Sequence, residues 1–161
     1  GNEQLLWVGL PGDIFPSSWA LGIWDNAEYF FTAFSEVELY AFDRYKFTDF
    51  LETSHVGLME FTTSVVGRVA DTFRHLNAAE KARAEEKIIH TLHFLSLRYG
   101  HNLAPGEREI EVPLTHQDIA NLLGLTRETV AGELKKLKAR GVIDYDKSHF
   151  LIQQHRLEEL L

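Results

Sequence analysis

Residues 114–130 read Leu114-Thr115-His116-Gln117-Asp118-Ile119-Ala120-Asn121-Leu122-Leu123-Gly124-Leu125-Thr126-Arg127-Glu128-Thr129-Val130, and this stretch decides the fold. Thr115 with Asp118 three residues later is a capping box in which Asp replaces the usual Glu. The helix it opens stops at Gly124, where a tight turn needs a positive φ. Thr126 caps a second helix, and Glu128 lies in its positively polarised first turn. Val130, Leu134 and Leu137 recur at helical spacing and face a core. Ala120 is small, as a close helix crossing requires. Two short helices joined by a glycine turn make a helix-turn-helix. Downstream, Arg140-Gly141-Val142-Ile143 ends the second helix and begins a strand; residues 144–148 turn and 149–152 return, which predicts a wing.

A helix of this kind fits the major groove of DNA, with its N-terminal residues against base edges. Arg127 is placed to bridge O6 and N7 of a guanine, and Glu128 to accept from a cytosine N4. Thr126 and Thr129 stand where a helix N-terminus attracts a phosphate. Lys135, two turns on and on the Glu128 side, supplies a cation for the backbone, and Lys147 in the wing turn supplies another. Thr115, His116 and Gln117, opening the first helix, complete the expected DNA-facing set.

Working upstream, the period changes. Leu58, Thr62, Val65, Val69, Thr72 and Leu76 recur at alternating spacings of four and three, with Phe61 and Phe73 beside them. That predicts a long helix from about residue 54 whose narrow stripe suits a two-helix seam. Leu58, Phe61, Thr62, Val65, Val69, Thr72 and Leu76 are the expected dimer contacts; a long core helix within one subunit is the alternative. Asn77 is expected to cap a following helix, in which Ile88, Ile89, Leu92, Leu95 and Tyr99 repeat until Gly100 stops it. Residues 101–109, with Pro105-Gly106, read as a loop and residues 110–112 as a short extended piece. Further upstream, residues 4–10 have strand character and Pro11-Gly12-Asp13 is a turn signal. Residues 28–34 and 36–42, separated by Ser35, are expected to pair as antiparallel strands. All three Trp and most of the Phe fall before residue 51, which predicts a β-rich, aromatic first segment.

The 161 residues, 45% hydrophobic and 25% charged, hold one ordinary domain or two small ones. The absence of cysteine excludes disulfides, thiolate metal sites and cysteine catalysis within these residues. No run of about 18 apolar residues exists, which argues against a spanning helix; the expected location is the cytoplasm. The net charge of −8 argues against indiscriminate binding to nucleic acid, but the charge is uneven. Residues 1–112 hold 17 acidic and nine basic side chains, and residues 113–161 hold seven of each. A basic run, Lys135, Lys136, Lys138 and Arg140, belongs to the neutral part. The chain opens without Met and directly onto Leu5-Leu6-Trp7-Val8, as a fragment of a longer protein would.

The helix-turn-helix of residues 114–130 resembles that of the CRP/FNR family of bacterial transcription regulators. Pro11-Gly12-Asp13-Ile14-Phe15 is similar to the turn in that family's cyclic-nucleotide-binding β-roll. The helix from residue 54 sits where the family has its dimerisation helix, and Glu86-Lys87-Ile88-Ile89 resembles the helix that follows it. The resemblance implies an α+β chain: a partial β-roll over 1–53 lacking its N-terminal strands, a long dimerisation helix with a following linker helix over 54–100, and a C-terminal winged helix-turn-helix over 101–161. It also implies a homodimer on a near-palindromic double-stranded DNA operator, RNA polymerase as a partner if the protein activates, and a small-molecule effector.

Departures from the family pattern narrow this. Members that bind cyclic AMP carry Gly-Glu just after the Pro-Gly-Asp turn and Arg-Ser about ten residues on; the matching positions here are Pro16-Ser17 and Ala27-Glu28. The cyclic phosphate would lose its cation and meet a carboxylate, so cyclic AMP is not an expected ligand. An iron–sulfur cluster has no cysteine to hold it, and His55 is a weak sign of a haem. No cofactor is identified. Many members place a second Arg on the reading helix where this chain has Gly132, which implies a different or looser half-site. Enzymatic function is not expected. Glu86, His90 and His93 share a helix face at metal-like spacing, yet no phosphate loop, nucleophile elbow or zinc-protease motif accompanies them. The remaining alternative is a winged-helix interaction or sensor protein without specific DNA binding.

Overall fold

The computed structural model describes residues 5–23, 26, 29–146 and 149–161. The elements, in order, are α1 (Ser17–Ala20), α2 (Arg44–Thr53), α3 (His55–Ala79), α4 (Ala84–Tyr99), β1 (Gly100–Ala104), β2 (Glu107–Ile110), α5 (His116–Leu123), α6 (Arg127–Ala139), β3 (Ile143–Asp146), β4 (His149–Gln153) and α7 (Gln154–Glu158). The fold is α+β, as expected. The chain divides into two compact units: residues 9–71, and residues 72–161 with the first eight.

In the 9–71 unit the turn at Pro11-Gly12-Asp13 forms. Gly12 takes φ 90°, Asp13 N donates to Leu10 O at 3.0 Å, and the Asp13 carboxylate accepts from Leu10 N at 2.7 Å. The expected strands do not form. Among the described residues no strand precedes Arg44, and Phe30, Tyr40 and Leu39 lie open to solvent. The physical reason is the connection, because a hairpin needs a loop of at least two residues and Ser35 supplies one. Helix α2 was not expected. Asp43 caps it, accepting from Tyr45 N and Lys46 N, and Phe47 and Leu51, one turn apart, are its buried face. They join Ala20 and Phe61 in a small core, with Ile14 and Val65 packed against it; the Phe47 and Phe61 rings meet edge to face at 5.3 Å. The expectations at Ala27 and Glu28, at Lys147 and over the first four residues fall outside the described residues.

Helix α3 runs through Asn77 to Ala79, so Asn77 does not cap the next helix; α4 starts at Ala84, after Arg83. In the second unit α4 is buried along Ile88, Ile89, Leu92 and Leu95. It passes straight into β1, and Arg108 closes its end: the guanidinium donates to Ser96 O at 2.9 Å and Gly100 O at 2.6 Å. A cation there complements the helix dipole. The expected loop at 101–109 is instead the hairpin β1–β2. Pro105 presets one central φ and Gly106, at φ 78°, supplies the other.

The sheet order is β1-β2-β4-β3, all antiparallel, with Ile110 opposite Phe150 and Tyr145 opposite Phe150. Its inner face, Ile110, Ile143, Phe150 and Ile152, is buried with Leu114, Ile119, Ala120, Val130, Leu134, Leu137 and Leu157. At the junction of α4 and β1 a Cβ on Gly100 would lie 2.4 Å from Ser96 O and 2.9 Å from Glu109 O, both backbone atoms that cannot swing away. Gly100→Ala is therefore expected to destabilise this unit by about 1–3 kcal/mol, read as a lower midpoint in urea unfolding; an unchanged midpoint would disprove the tight junction.

Candidate nucleic-acid interface

The two helices of the motif begin on hydroxyl caps. Thr115 Oγ1 accepts from Asp118 N at 3.2 Å, and the Asp118 carboxylate accepts from Thr115 N at 2.7 Å and from the Thr115 hydroxyl at 2.6 Å. Thr126 Oγ1 accepts from Thr129 N at 3.2 Å and lies 3.0 Å from the Thr129 hydroxyl. Between them Gly124 adopts φ 63°, ψ 32° and its N–H returns to Ala120 O. Thr115 and Thr126 thus hold the helix ends in place, and the Thr126 and Thr129 hydroxyls, expected to reach phosphates, lie against each other. Gln117 is exposed and donates to Asn121 Oδ1 at 2.7 Å.

Val130, Leu134 and Leu137 anchor the inner side of α6 with no exposed surface. The outer side carries Arg127, Glu128, Gly132 and Lys135, all exposed. Among the described residues no carboxylate pairs with Arg127 or Lys135. The rest of the basic run is differently disposed. Lys136 bonds Glu133 at 2.7 Å, Lys138 bonds Asp144 at 2.5 Å and lies 4.9 Å from the Tyr145 ring, and Arg140 bonds Glu85 at 2.6 Å. Hydrogen bonds to Glu133 and Asp144 raise the Lys136 and Lys138 pKa values, and the Lys138 ammonium, with the Tyr145 backbone N–H, lowers that of Asp144. Among the described residues of α6, the cations with no carboxylate partner are Arg127 and Lys135. Around Gly132 a Cβ would meet nothing within 4 Å; packing does not explain the glycine.

His116, the first residue of α5, joins the motif to the wing. Its ring meets Tyr145 of β3 edge to face at 5.1 Å and Phe150 of β4 at 6.5 Å. Burial, and then the nearby Arg127 charge, lower its pKa. The unfolded chain therefore binds the proton more readily than the folded one, so stability rises with pH across the window below about pH 6.5. His116→Gln is expected to flatten the decline in melting temperature between pH 7 and pH 5. His75 and His90, also lowered by burial, leave a residual slope. An unaltered slope in the variant would show that His116 titrates freely in the folded chain.

On α3 the expected seam splits in two. Phe61, 6% exposed, turns into the core of its own unit, and Val65 packs against that core. The most exposed apolar side chains of α3 are Val56, Met59, Val66, Val69, Phe73 and Leu76, between 50% and 67% exposed. With exposed Thr62 they step by three and four residues. Leu58 and Thr72 are exposed at the edge of this stripe. The missed signal was phase: two interleaved stripes occupy this helix, and spacing alone favours neither. No three His, Asp or Glu side chains among the described residues gather to hold a metal, Glu86, His90 and His93 included. No described helix is long and apolar enough to cross a membrane.

Comparison with known proteins agrees with this geometry. The family model of the Crp-like helix-turn-helix domain matches residues 67–160. The chain is 32% identical over 143 residues to the nitrogen fixation regulation protein FixK of Rhizobium meliloti, a match covering 89% of this chain and 60% of FixK. It is 28% identical over 159 residues to the transcriptional activator protein FnrL of Cereibacter sphaeroides, covering 94% of this chain and 61% of FnrL. It is 40% identical over 82 residues to the regulatory protein HlyX of Actinobacillus pleuropneumoniae, covering 50% of this chain and 32% of HlyX. The chain thus spans about three fifths of FixK and FnrL. Among solved structures, FixK2 from Bradyrhizobium japonicum superposes with a TM-score of 0.60 at 20% identity, over 73% of this chain and 58% of that one. A CooA variant from Carboxydothermus hydrogenoformans gives 0.62 at 19% identity, over 73% and 55%; both are similarities of fold. A capped helix-turn-helix, a wing closed by β2 and β4, and a family match over more than half the length lead to one assignment: the chain belongs to the CRP/FNR family of transcription regulators.

Proposed function

We propose that this chain is the DNA-reading part of a sequence-specific transcription regulator that binds a near-palindromic operator as a homodimer in the cytoplasm. One observation carries the reading: Arg127 and Glu128 stand exposed on the first turn of a capped, well-anchored helix, with Lys135 two turns on and no internal carboxylate on either cation. Arg127 reads a guanine, Glu128 a cytosine, and Lys135 a phosphate of the same half-site. The exposed stripe of α3, from Met59 to Leu76, is the seam between two copies. Two reading helices then enter successive major grooves about 34 Å apart, and an effector acts by favouring the arrangement that matches that spacing. The curated relatives' names, a nitrogen fixation regulator and a transcriptional activator, support regulation in general; RNA polymerase is the partner if the protein activates.

Cyclic AMP is not proposed as the effector. Ser17, where the family pattern asks for the ribose-binding Glu, accepts a hydrogen bond from Arg68 Nη2 at 2.9 Å. The test is a genomic-fragment selection with the full-length native protein, followed by titration at several salt concentrations. An inverted repeat whose affinity falls with salt is the expected result. Because Lys136, Lys138 and Arg140 are already paired, the slope should be shallower than a basic run of four suggests. Recovery of no preferred sequence, with and without cell extract, would favour an interaction protein that kept the winged-helix shape.

A further inference from the structure

We infer that Glu85 and Lys87, in the first turns of α4, are positioning residues that hold the reading helix at a set attitude to the end of α3, and so fix the half-site spacing a dimer accepts; this rests on the DNA-binding reading above. Between α3 and α4 lie only residues 80–83, and the residue that opens α4, Arg83, makes no side-chain cap. From that start two side chains reach to two different helices. Lys87 Nζ donates to Ala79 O, the last residue of α3, at 2.5 Å. Glu85 Oε1 accepts at 2.6 Å from Nη1 of Arg140, the residue that closes α6. Lys136 of α6, bonded to Glu133, also lies in the field of Glu85.

Glu85 stands at the N-terminus of α4 and Arg140 at the C-terminus of α6, each at the helix end whose dipole favours it, and Lys87, although in the first turn of α4, carries its ammonium to the C-terminal carbonyl of α3. Three helix ends are thereby joined through one short segment. Glu85 and Arg140 are both close to half exposed, and exposed pairs add little to stability. What the pair supplies is direction. The buried faces of α4 and α6 are largely apolar, and apolar packing is non-directional, whereas two polar contacts made from the start of one helix are directional. A small rotation at the end of α6 displaces its N-terminal Arg127 the most, and in a dimer that displacement changes the distance between the two reading helices.

The chain has no cysteine, so spin labels can be placed at exposed Asn77→Cys and Ala139→Cys and diluted with unlabelled chain. The label-to-label distance distribution is expected to be narrow in the parent, at least half again as broad in Glu85→Gln and in Lys87→Met, and narrow again in the charge swap Glu85→Arg with Arg140→Glu. Melting temperatures should move little. On inverted repeats lengthened or shortened by one base pair, the parent is expected to discriminate about tenfold, and Glu85→Gln and Lys87→Met about threefold or less, with the swap restoring the difference. Unchanged distances in both single variants would overturn the proposal. So would broadened distances with unchanged spacing discrimination, or an equal loss of affinity at every spacing. A parent that recognises no inverted repeat would refute the DNA-binding reading and the spacing consequence with it, while the distances alone would still decide whether α4 clamps the two helix ends.

Discussion

Phe73→Glu is expected to turn a dimer into a monomer at micromolar concentration and to weaken operator binding by about a hundredfold or more. Phe73 is 66% exposed on α3, between Val69 and Leu76, themselves 50% exposed. Burying a large apolar side chain contributes about 1.5–3 kcal/mol, and a symmetric seam counts it twice. The substitution removes that contribution and brings two carboxylates together near the dyad. A monomer engages one half-site and loses the roughly 10²–10⁴-fold gain of a linked second contact. Sedimentation and operator titration of the same samples check both halves. Phe73→Leu should remain dimeric, and a Phe73→Glu variant that still sediments as a dimer would move the seam off this face.

Arg127→Ala should cost about 1–3 kcal/mol at one base position, a loss of roughly five- to 150-fold, and should relax preference there while leaving the other positions intact. The pattern matters more than the size. Arg127 sits on the first turn of α6 with no internal carboxylate partner, so its removal leaves no unpaired charge behind in the fold, and the melting temperature should barely change. Lys135→Ala, by contrast, should weaken all sequences alike and lower the salt slope by about one phosphate contact. Competition against operators substituted at each position separates the two outcomes. A uniform loss from Arg127→Ala would assign that side chain to the backbone and the reading of sequence to another residue.

The helix-turn-helix was legible because every local signal in residues 114–130 pointed the same way: Thr115 with Asp118, Gly124, Thr126, and the buried series Val130, Leu134, Leu137. Local rules decide caps and turns, and caps and turns make up this motif. The turn at Pro11-Gly12-Asp13 was read correctly, but the strands expected on either side of Ser35 were not, for the opposite reason. Strand propensity in aromatic runs says that a segment suits a sheet, but a strand exists only through its ladder partner, and Ser35 gave the two runs no room to become each other's. Helix α2 was hidden behind the same aromatic residues, although Asp43 ahead of Phe47 and Leu51 marks it. On α3 Thr62, Val69 and Leu76 of the expected stripe face outward, but Phe61 and Val65 belong to a core that the spacing cannot distinguish from a seam. Glu133, three residues before Lys136 on the same helix, was a legible partner, whereas those of Lys138 and Arg140 were not, because Asp144 and Glu85 lie outside α6. A basic run is a count of charges; its free cations depend on what the fold brings beside them.

Strands β2 and β4 lie on either side of the motif in sequence, and they pair, with Ile110 opposite Phe150. The two helices of the motif are therefore enclosed in a loop that closes only when its ends meet. Closing a flexible loop of roughly forty residues costs about 2 kcal/mol more than closing one of about four, and this must be offset by contacts that form together. The motif thus has little reason to exist as a half-made intermediate, and its helices should gain hydrogen-exchange protection at the same moment as the sheet. Shortening the chain ahead of Phe150 would leave the helix-turn-helix sequence without the ladder that closes it. Insertions between β3 and β4 should be tolerated best, because they leave that ladder uninterrupted.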